Sequence, residues 1–381
     1  MASTEKKTIL VMFGGISPEH EVSVISGTLV IENIDRSAYV PLAVYLSKKG
    51  EILFLGDIKG RKELLSHRRV PASFGRDKNG GYVQLGGLMG KKIYPSAAFL
   101  AFHGGTGEGG AMQGLLETVG IPYSSSSSEG AVITMNKQLT KEVVEKEGIA
   151  TVPGLHLLTS ELRSTIEAES DRVIKHLALP VIVKPVHLGS SIGINVAHSE
   201  VELQKYLAEA AQVDSEIVVE KYIQKFVEYN CAVRQIHGQL ETSAIEKPIS
   251  KDEILSFADK YERGAKKTGT EGMASLDREL PAKISDQLRD TIQGMAKKAF
   301  VACRCKGMVR IDFMATESGE LYLTEVNPIP GSLAFFLWEA KGITFREQIT
   351  DLIEQSVKDA QVTKGHEIDY TTNILEKFGK S

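Results

Sequence analysis

The chain has 381 residues, 42% of them hydrophobic, which is enough for a sizeable core over two or three domains and too much for a disordered protein. Its formal charge of −4 gives no general attraction to nucleic acid or anionic membranes, and the three cysteines, Cys231, Cys303 and Cys305, form no zinc or disulfide framework. No apolar run approaches membrane length and the N-terminus lacks a signal-peptide pattern, so a cytoplasmic protein without membrane or nucleic-acid partners is expected.

The opening "KKTILVMFGGISPEHEVSVISGTLVIENI" reads as a buried strand, a Gly-Gly turn and a helix beginning near Ser17 or Pro18. "YVPLAVYLSKKGEILFL" is strand-like, and residues 57–95 look like loops and short strands. "AAFLAFHGGTGEGGAMQGLLETVG" repeats strand, glycine loop and helix. Alternating β and α with glycine at strand ends predicts a parallel α/β domain over 1–136, whose ligands gather at those ends. Glu19 stands at the mouth of the first loop, where a carboxylate either complements the helix dipole or clamps a substrate ammonium. His103 and Glu108 lie in the second loop, where a histidine is as readily a substrate contact as a structural group. "SSSSSE" at 124–129 reads as a polar loop.

"MNKQLTKEVVEKEG" is a good helix and opens a second, α+β unit expected over 137–224. Lys184 ends the apolar run "LPVIVKP" beside "HLGSSIGI". A lysine leaving a strand next to glycines, Ser190, Ser191 and backbone N–H groups suits phosphate oxygens. Alone, such a loop is more often a turn, and the P-loop spacing is absent. Lys137 is a second candidate for phosphate, or a solvated lysine at a helix start. Glu220 closes "EIVVEKYI" where strand meets linker and can border an adenine edge, with Glu228 on the ribose; both also fit ordinary surface carboxylates.

The third unit, 225–381, holds the paired strands "YNCAVRQIHGQLETSAIEKPI", a long loop, a helix over 282–302 and the hairpin "GMVRIDFMATESGELYLTEVNPIPG". A hairpin centred between Ser318 and Gly319 sets Asp312 opposite Glu325 and Arg310 opposite Asn327 on one face. The other face, Val309, Ile311 and Phe313 against Thr324 and Val326, suits a core. Facing carboxylates repel, and a divalent cation removes that cost. The oxygens of Asp312, Glu325 and Asn327 suit Mg2+ or Mn2+. Arg310 cannot bind metal, but its fork suits phosphate or a developing oxyanion.

Together these segments resemble the D-alanine–D-alanine ligases of the ATP-grasp superfamily, from about residue 10 to residue 350. The resemblance lies in ordered motifs: "GGISPEHEVS", "HGGTGEGG", "MNK", "VKPVHLGSSIG", "DKY", "RID" and "EVNPIPG". It implies a three-domain ATP-grasp fold behind an N-terminal α/β domain, with ATP between the central and C-terminal units. Lys137, Lys184 and Lys260 would then face phosphates, with Ser191 beside them. Glu220, Lys221 and Ile223 would border adenine, and Glu228 the ribose. Asp312, Glu325 and Asn327 would bind a pair of Mg2+ or Mn2+ ions. Glu19 would hold the first D-alanine's ammonium and, with Ser190 and Tyr261, link the closing loops, while Arg310 and the Gly331 amide stabilise the oxyanion. His103, Ser332 and Leu333 would border the amino-acid substrates. The implied activity is ATP-dependent joining of two D-alanines for peptidoglycan synthesis, in a homodimer.

The sequence also departs from the pattern. Gly109 stands where Asp is common, and the linker between Glu220 and Glu228 is one residue longer than the usual one. The Ser-Leu pair that holds the second substrate's carboxylate is replaced by Phe336-Leu337, whereas Ser332-Leu333 directly follows Gly331. A ligase with another acceptor, such as D-serine or D-lactate, and a nucleotide-binding regulator without turnover are the competing readings.

Overall fold

The computed structural model of the chain describes residues 5–87, 89–249 and 277–364, so Lys260 and Tyr261 lie outside the described residues. The N-terminal sheet is built from β1 (Lys7–Gly14), β2 (Tyr39–Leu46), β3 (Ile52–Gly56), β4 (Val70–Asp77), β5 (Gly80–Leu85), β6 (Lys92–Ile93) and β7 (Ala97–Leu100), in the order β6-β5-β4-β3-β2-β1-β7. Strand β1 pairs in parallel with both β2 and β7. Such a strand is covered on both faces, which is why "ILVMF" is apolar without alternation. The parallel part ends there: β2 to β6 extend the sheet antiparallel. Residues 57–95 thus supply organised strands and the short helix α2 (Arg61–Ser66), more structure than their composition suggests.

The helix α1 (His20–Asn33) begins past the expected Ser17 or Pro18, with Glu19 at its cap position. The second glycine loop carries α3 (Gly105–Glu108) and α4 (Ala111–Val119). In the serine run that follows, the polar loop expected from the sequence, Ser124, Ser125 and Ser126 are buried. Ser124 Oγ accepts the Leu100 N–H, Ser126 Oγ accepts the Lys306 N–H, and Ser127 caps α5 (Ser128–Met135). Helix α6 (Lys137–Lys146) comes next, capped by Asn136.

The central sheet has the order β10-β9-β11-β8, from β8 (Gly154–Leu158), β9 (Val181–Pro185), β10 (Asn195–Ala197) and β11 (Glu216–Lys221). Helices α7 (Thr159–Leu177) and α8 (Glu200–Ala210) cover it and close a core of their own around Val173, Val183, Leu203 and Ile217.

The third sheet runs β14-β13-β12-β15-β16, from β12 (Phe226–Ile236), β13 (Gln239–Pro248), β14 (Arg278–Glu279), β15 (Met308–Thr316) and β16 (Leu321–Asn327). Helix α9 (Asp286–Ala302) lies under it, four residues shorter at its start than the expected 282. Val144 and Ile149, from α6 and just after it, join this core rather than that of the central sheet. After a left-handed turn come α10 (Phe335–Glu339) and α11 (Phe345–Lys364). They return to the first sheet: Trp338, Phe345, Ile349, Leu352 and Ile353 share one core with Ile9, Leu10 and Phe99.

Candidate active site

The hairpin sets the site's floor. Arg310 pairs with Asn327 and Asp312 with Glu325, as the turn position requires. Beyond Asp312 the register shifts, so Leu323 rather than Thr324 faces Phe313 in the core. Thr324 instead donates its hydroxyl to the Asp312 carbonyl at 3.0 Å. The polar row continues across the sheet, because β12 sets Asn230 opposite Asp312 and β13 sets Glu246 opposite Asn230. Asn230 Nδ2 donates to Glu246 Oε2 at 3.0 Å.

Arg310 grips Asp312 with Nε and Nη2, each at 2.7 Å from one carboxylate oxygen. Asn327 Nδ2 donates to the same Asp312 carboxylate at 3.0 Å. The charge of Asp312 is therefore met by protein groups, and the cation invoked from the sequence is not needed to hold the hairpin closed. Burial opposes the Arg310 charge, but Asp312, Glu246 and Glu325 outweigh it and raise its pKa. Its Nη1 is buried with no hydrogen-bond partner among the described residues, a strong donor left for an incoming oxygen. Glu325 keeps a looser contact with Lys137, 3.7 Å away.

No group of three His, Cys, Asp or Glu side chains among the described residues encloses a metal position. The donor set still fits a hard cation. Asp312 and Glu325 face each other, Asn327 adds an amide, each carboxylate oxygen can share a second contact, and Mg2+ keeps several waters.

The glycine loop after β9 forms the opposite wall. Ser190 and Ser191 adopt left-handed φ values of 52° and 61°, and Ser190 donates its hydroxyl to Glu19. Lys137 donates to the Leu188 carbonyl and so bridges loop and hairpin. Glu19 is enclosed by backbone: a Cβ on Gly104 or Gly189 would come within 2.7 Å of its Oε2. Glycine at these two positions is what lets the loops close around the carboxylate.

The second N-terminal loop grips the segment after β16. The His103 Nδ1–H donates to the Ile329 carbonyl at 3.0 Å, and Ser26 donates to His103 Nε2 at 2.7 Å. Burial lowers the His103 pKa to about 4, so the ring is neutral. With both nitrogens engaged, His103 positions this wall and has no ring nitrogen left for substrate. Glu108 accepts N–H groups from Gly104 at 2.6 Å and Ile329 at 3.1 Å. Burial, with the Glu19 charge nearby, raises its pKa to about 8.

Lys184 points at Glu220, 2.5 Å away, and Lys141 approaches the other Glu220 oxygen at 2.5 Å. Burial would raise the Glu220 pKa, but the two ammonium groups outweigh it and the carboxylate stays ionised. Lys141 was not singled out in the sequence; it lies one helical turn beyond Lys137 on α6, and that spacing was the available signal. Beside them a cleft of Val152, Ile182, Ile223, Phe226 and Met314, edged by Glu220 and Lys221, has the apolar walls a flat ring needs. Glu228 is exposed, sits opposite Met314, and shares a strand face with Phe226.

One cavity thus gathers Glu19, His103, Glu108, Lys137, Ser190, Arg310, Glu325, Asn327 and Gly331. Ser332, Leu333 and Ala334 follow with left-handed φ values of 51°, 52° and 46°, which costs about 1–2 kcal/mol per non-glycine residue. Ser332 caps no helix, since α10 begins later, behind Ala334. Asn230, Glu246 and Arg278 are the site's neighbours that the sequence did not mark.

Two family models match the chain: the D-ala D-ala ligase N-terminus over residues 8–126 and the D-ala D-ala ligase C-terminus over residues 143–354. The chain is 33% identical over 376 residues to the D-alanine–D-alanine ligase of Thermosipho melanesiensis, covering 97% of this chain and 99% of that one. It is 34% identical over 365 residues to that of a Thermoanaerobacter species, covering 93% and 97%. The solved VanG D-Ala:D-Ser ligase from Enterococcus faecalis superposes with a TM-score of 0.76 at 26% identity, over 92% of this chain and 100% of that one. The D-alanine–D-alanine ligase structure from Coxiella burnetii gives 0.79 at 24% identity, over 99% and 100%, a likeness of fold.

Proposed function

The chain belongs to the D-alanine–D-alanine ligase family, and from that premise we propose that it joins two D-alanines at the expense of ATP through an acyl phosphate. The observation that carries this is the convergence in one cavity of Glu19, Lys137, Arg310, Asn327 and the Gly331 backbone. Glu19 binds the ammonium of the first D-alanine, and its carboxylate is turned toward the phosphates. Lys137 and Lys184, with Ser191 and Lys260, hold the triphosphate, and Lys184 exchanges part of its contact with Glu220 for phosphate. The adenine lies in the cleft edged by Glu220, Lys221 and Ile223, with Glu228 at its mouth for the ribose.

The first carboxylate attacks the γ-phosphorus and ADP leaves; the second amine then attacks the acyl phosphate and inorganic phosphate leaves. Arg310 Nη1 and the Gly331 N–H meet the oxyanion formed at that second attack. Asp312, Glu325 and Asn327 would hold Mg2+ or Mn2+, whose charge offsets that of the transferring phosphoryl group. The Ser190–Glu19 contact, with Tyr261, draws the loops together and keeps water from the acyl phosphate. Ser332 and Leu333 border the acceptor. The chain works in the cytoplasm in peptidoglycan precursor synthesis, as a homodimer, and divides functionally at 1–136, 137–224 and 225–381.

A second reading, a ligase with a different acceptor, draws on one observation: Phe336 is a buried aromatic that offers no side-chain donor. Phosphate release from ATP, measured with a panel of D-amino acids and followed by product mass, separates the readings. D-alanyl-D-alanine as the major product supports the first, a mixed product the second, and no phosphate release overturns both.

A further inference from the structure

The glycine loop leaves β9 at Pro185, and its residues Leu188, Gly189 and Ser190 line the cavity. His187 stands at the stem of this loop. Its N–H donates to Asp214 Oδ2 at 2.7 Å, and its ring Nδ1 lies 2.8 Å from Asp214 Oδ1. Asp214, just ahead of β11, has a side chain only 4% exposed and also accepts the Glu216 N–H at 3.1 Å. The other ring nitrogen, Nε2, meets Asn136 Nδ2 at 3.2 Å, at the cap of α6. That amide is already oriented, because its Oδ1 accepts the Leu139 N–H at 2.8 Å and so leaves Nδ2 toward the ring. Nε2 therefore accepts, Nδ1 carries the proton to Asp214, and the ring in this arrangement is neutral. Lys137, next to Asn136, completes the clasp. Its N–H donates to the Val186 carbonyl at 3.3 Å and its Nζ to the Leu188 carbonyl, one residue to either side of His187.

A second proton on the ring would sit on Nε2 and point at the Asn136 amide N–H, donor against donor. Either the ring would leave Asn136, or the amide would turn and give up the Leu139 cap. Asp214 favours that proton, partial burial opposes it, Glu216 adds to Asp214 and Lys137 acts against both; together they raise the His187 pKa above its ordinary 6.5. Glu216 is in turn paired with His156. The contact to Asn136 thus belongs to the neutral ring and is lost as pH falls through that pKa. We infer that His187 is a positioning residue for nucleotide binding: its neutral ring, held by Asp214, fixes Asn136 and so the place where Lys137 meets the glycine loop, and a proton on Nε2 releases that contact. This rests on the ligase reading, in which Lys137 and the glycine loop hold the triphosphate.

The test compares the full-length protein with its His187→Ala and His187→Gln variants. Alanine removes the relay, whereas glutamine can still accept from Asn136 but cannot take up a proton. At about pH 8.5, His187→Ala should raise the KM of ATP about three- to tenfold, with the KM values of both D-alanines nearly unchanged, and His187→Gln should restore most of that loss. Toward pH 6 the unmodified protein should lose ATP affinity as His187 is protonated, while His187→Gln does not. The ratio of their KM values for ATP should therefore change by about threefold or more across this range. Titrations common to both proteins, those of Glu108 and of the nucleotide, cancel in that ratio. Dissociation constants of a non-hydrolysable ATP analogue, measured by calorimetry, should follow the same course. Should His187→Ala fail to fold, the ratio for His187→Gln decides alone. A ratio that stays flat with pH, or D-alanine KM values that rise together with that of ATP in His187→Ala, overturns the assignment and leaves the ligase reading standing. No ADP formation by the unmodified protein overturns the ligase reading and this inference together.

Discussion

Glu220 and Glu108 are both buried glutamates, one edging the apolar cleft and the other lining the cavity of Arg310, yet they hold opposite charge states. Glu220 lies between Lys141 and Lys184 and stays ionised, while Glu108 lies near Glu19, meets only backbone N–H groups, and holds its proton to about pH 8. The difference extends to their surroundings. The central-sheet end has more lysine than glutamate and can accept phosphates, whereas the other end collects Glu19, Glu108, Asp312 and Glu325 against Arg310 and Lys137. The lesson is that burial does not set the protonation of a carboxylate; the charges brought alongside it do. One end is complementary to an anion and the other to cations.

Four experiments break or sharpen that contrast. The largest effect is expected from Glu325→Gln, which removes one of the facing carboxylates. Ligation should fall by at least about a thousandfold, with the melting temperature in metal-free buffer unchanged or raised. Full turnover at ordinary Mg2+ would show that the acidic end needs no cation.

Glu108→Gln comes next, because it removes the titrating group, at the cost of one of the two oxygens that accept the Gly104 and Ile329 N–H groups. Glu108 has its pKa raised from an ordinary 4.5 to about 8 in the folded protein, so between those values the unfolded chain ionises first and the native protein loses relative stability as pH rises. The stability of the variant relative to the unmodified protein should therefore climb from pH 4.5 to pH 8, by on the order of 5 kcal/mol, and stay level above. Urea melts of both proteins at three pH values check this, and parallel stability curves would show that Glu108 is ionised like Glu220.

Lys184→Met tests the basic end. It should raise the KM for ATP by about ten- to a hundredfold, and Lys141→Met by less, because Lys141 is held against the Val152 carbonyl as well as Glu220. Equal effects would mean that both lysines serve only Glu220. The smallest effect is expected from Ser332→Ala, about tenfold in acceptor KM with that of ATP unchanged. Since Ser332 caps no helix, the melting temperature should barely move; a large drop with unchanged KM values would assign Ser332 to the left-handed turn instead.

What could be read in the sequence follows how local each determinant is. Arg310, Asp312, Glu325 and Asn327 were legible because a short turn fixes their register. The bulge that replaces Thr324 by Leu323 was not, since nothing in "LYLTEV" marks where the ladder slips. Asn230, Glu246 and Arg278 escaped for a different reason: each joins the polar face only through pairing with strands far along the chain. The serine run was legible as a polar loop, but not its burial against the backbones of Leu100 and Lys306, which lie elsewhere in the chain. Lys184 was read correctly as a cation at a strand end, but its partner Glu220 was assigned separately.

The return of the last helices to the first sheet has a consequence for how the chain is made. Trp338, Phe345, Ile349, Leu352 and Ile353 complete the core around β1 and β7, and Glu354 accepts from both Lys7 and Tyr39. The strands of the first sheet therefore lack part of their covering until the residues of α10 and α11, more than two hundred positions further along the chain, have been added. The central unit, with its separate core, does not wait for them. A nascent chain stalled before residue 338 should stay protease-sensitive in its N-terminal sheet, while the segment around β8 to β11 already resists cleavage.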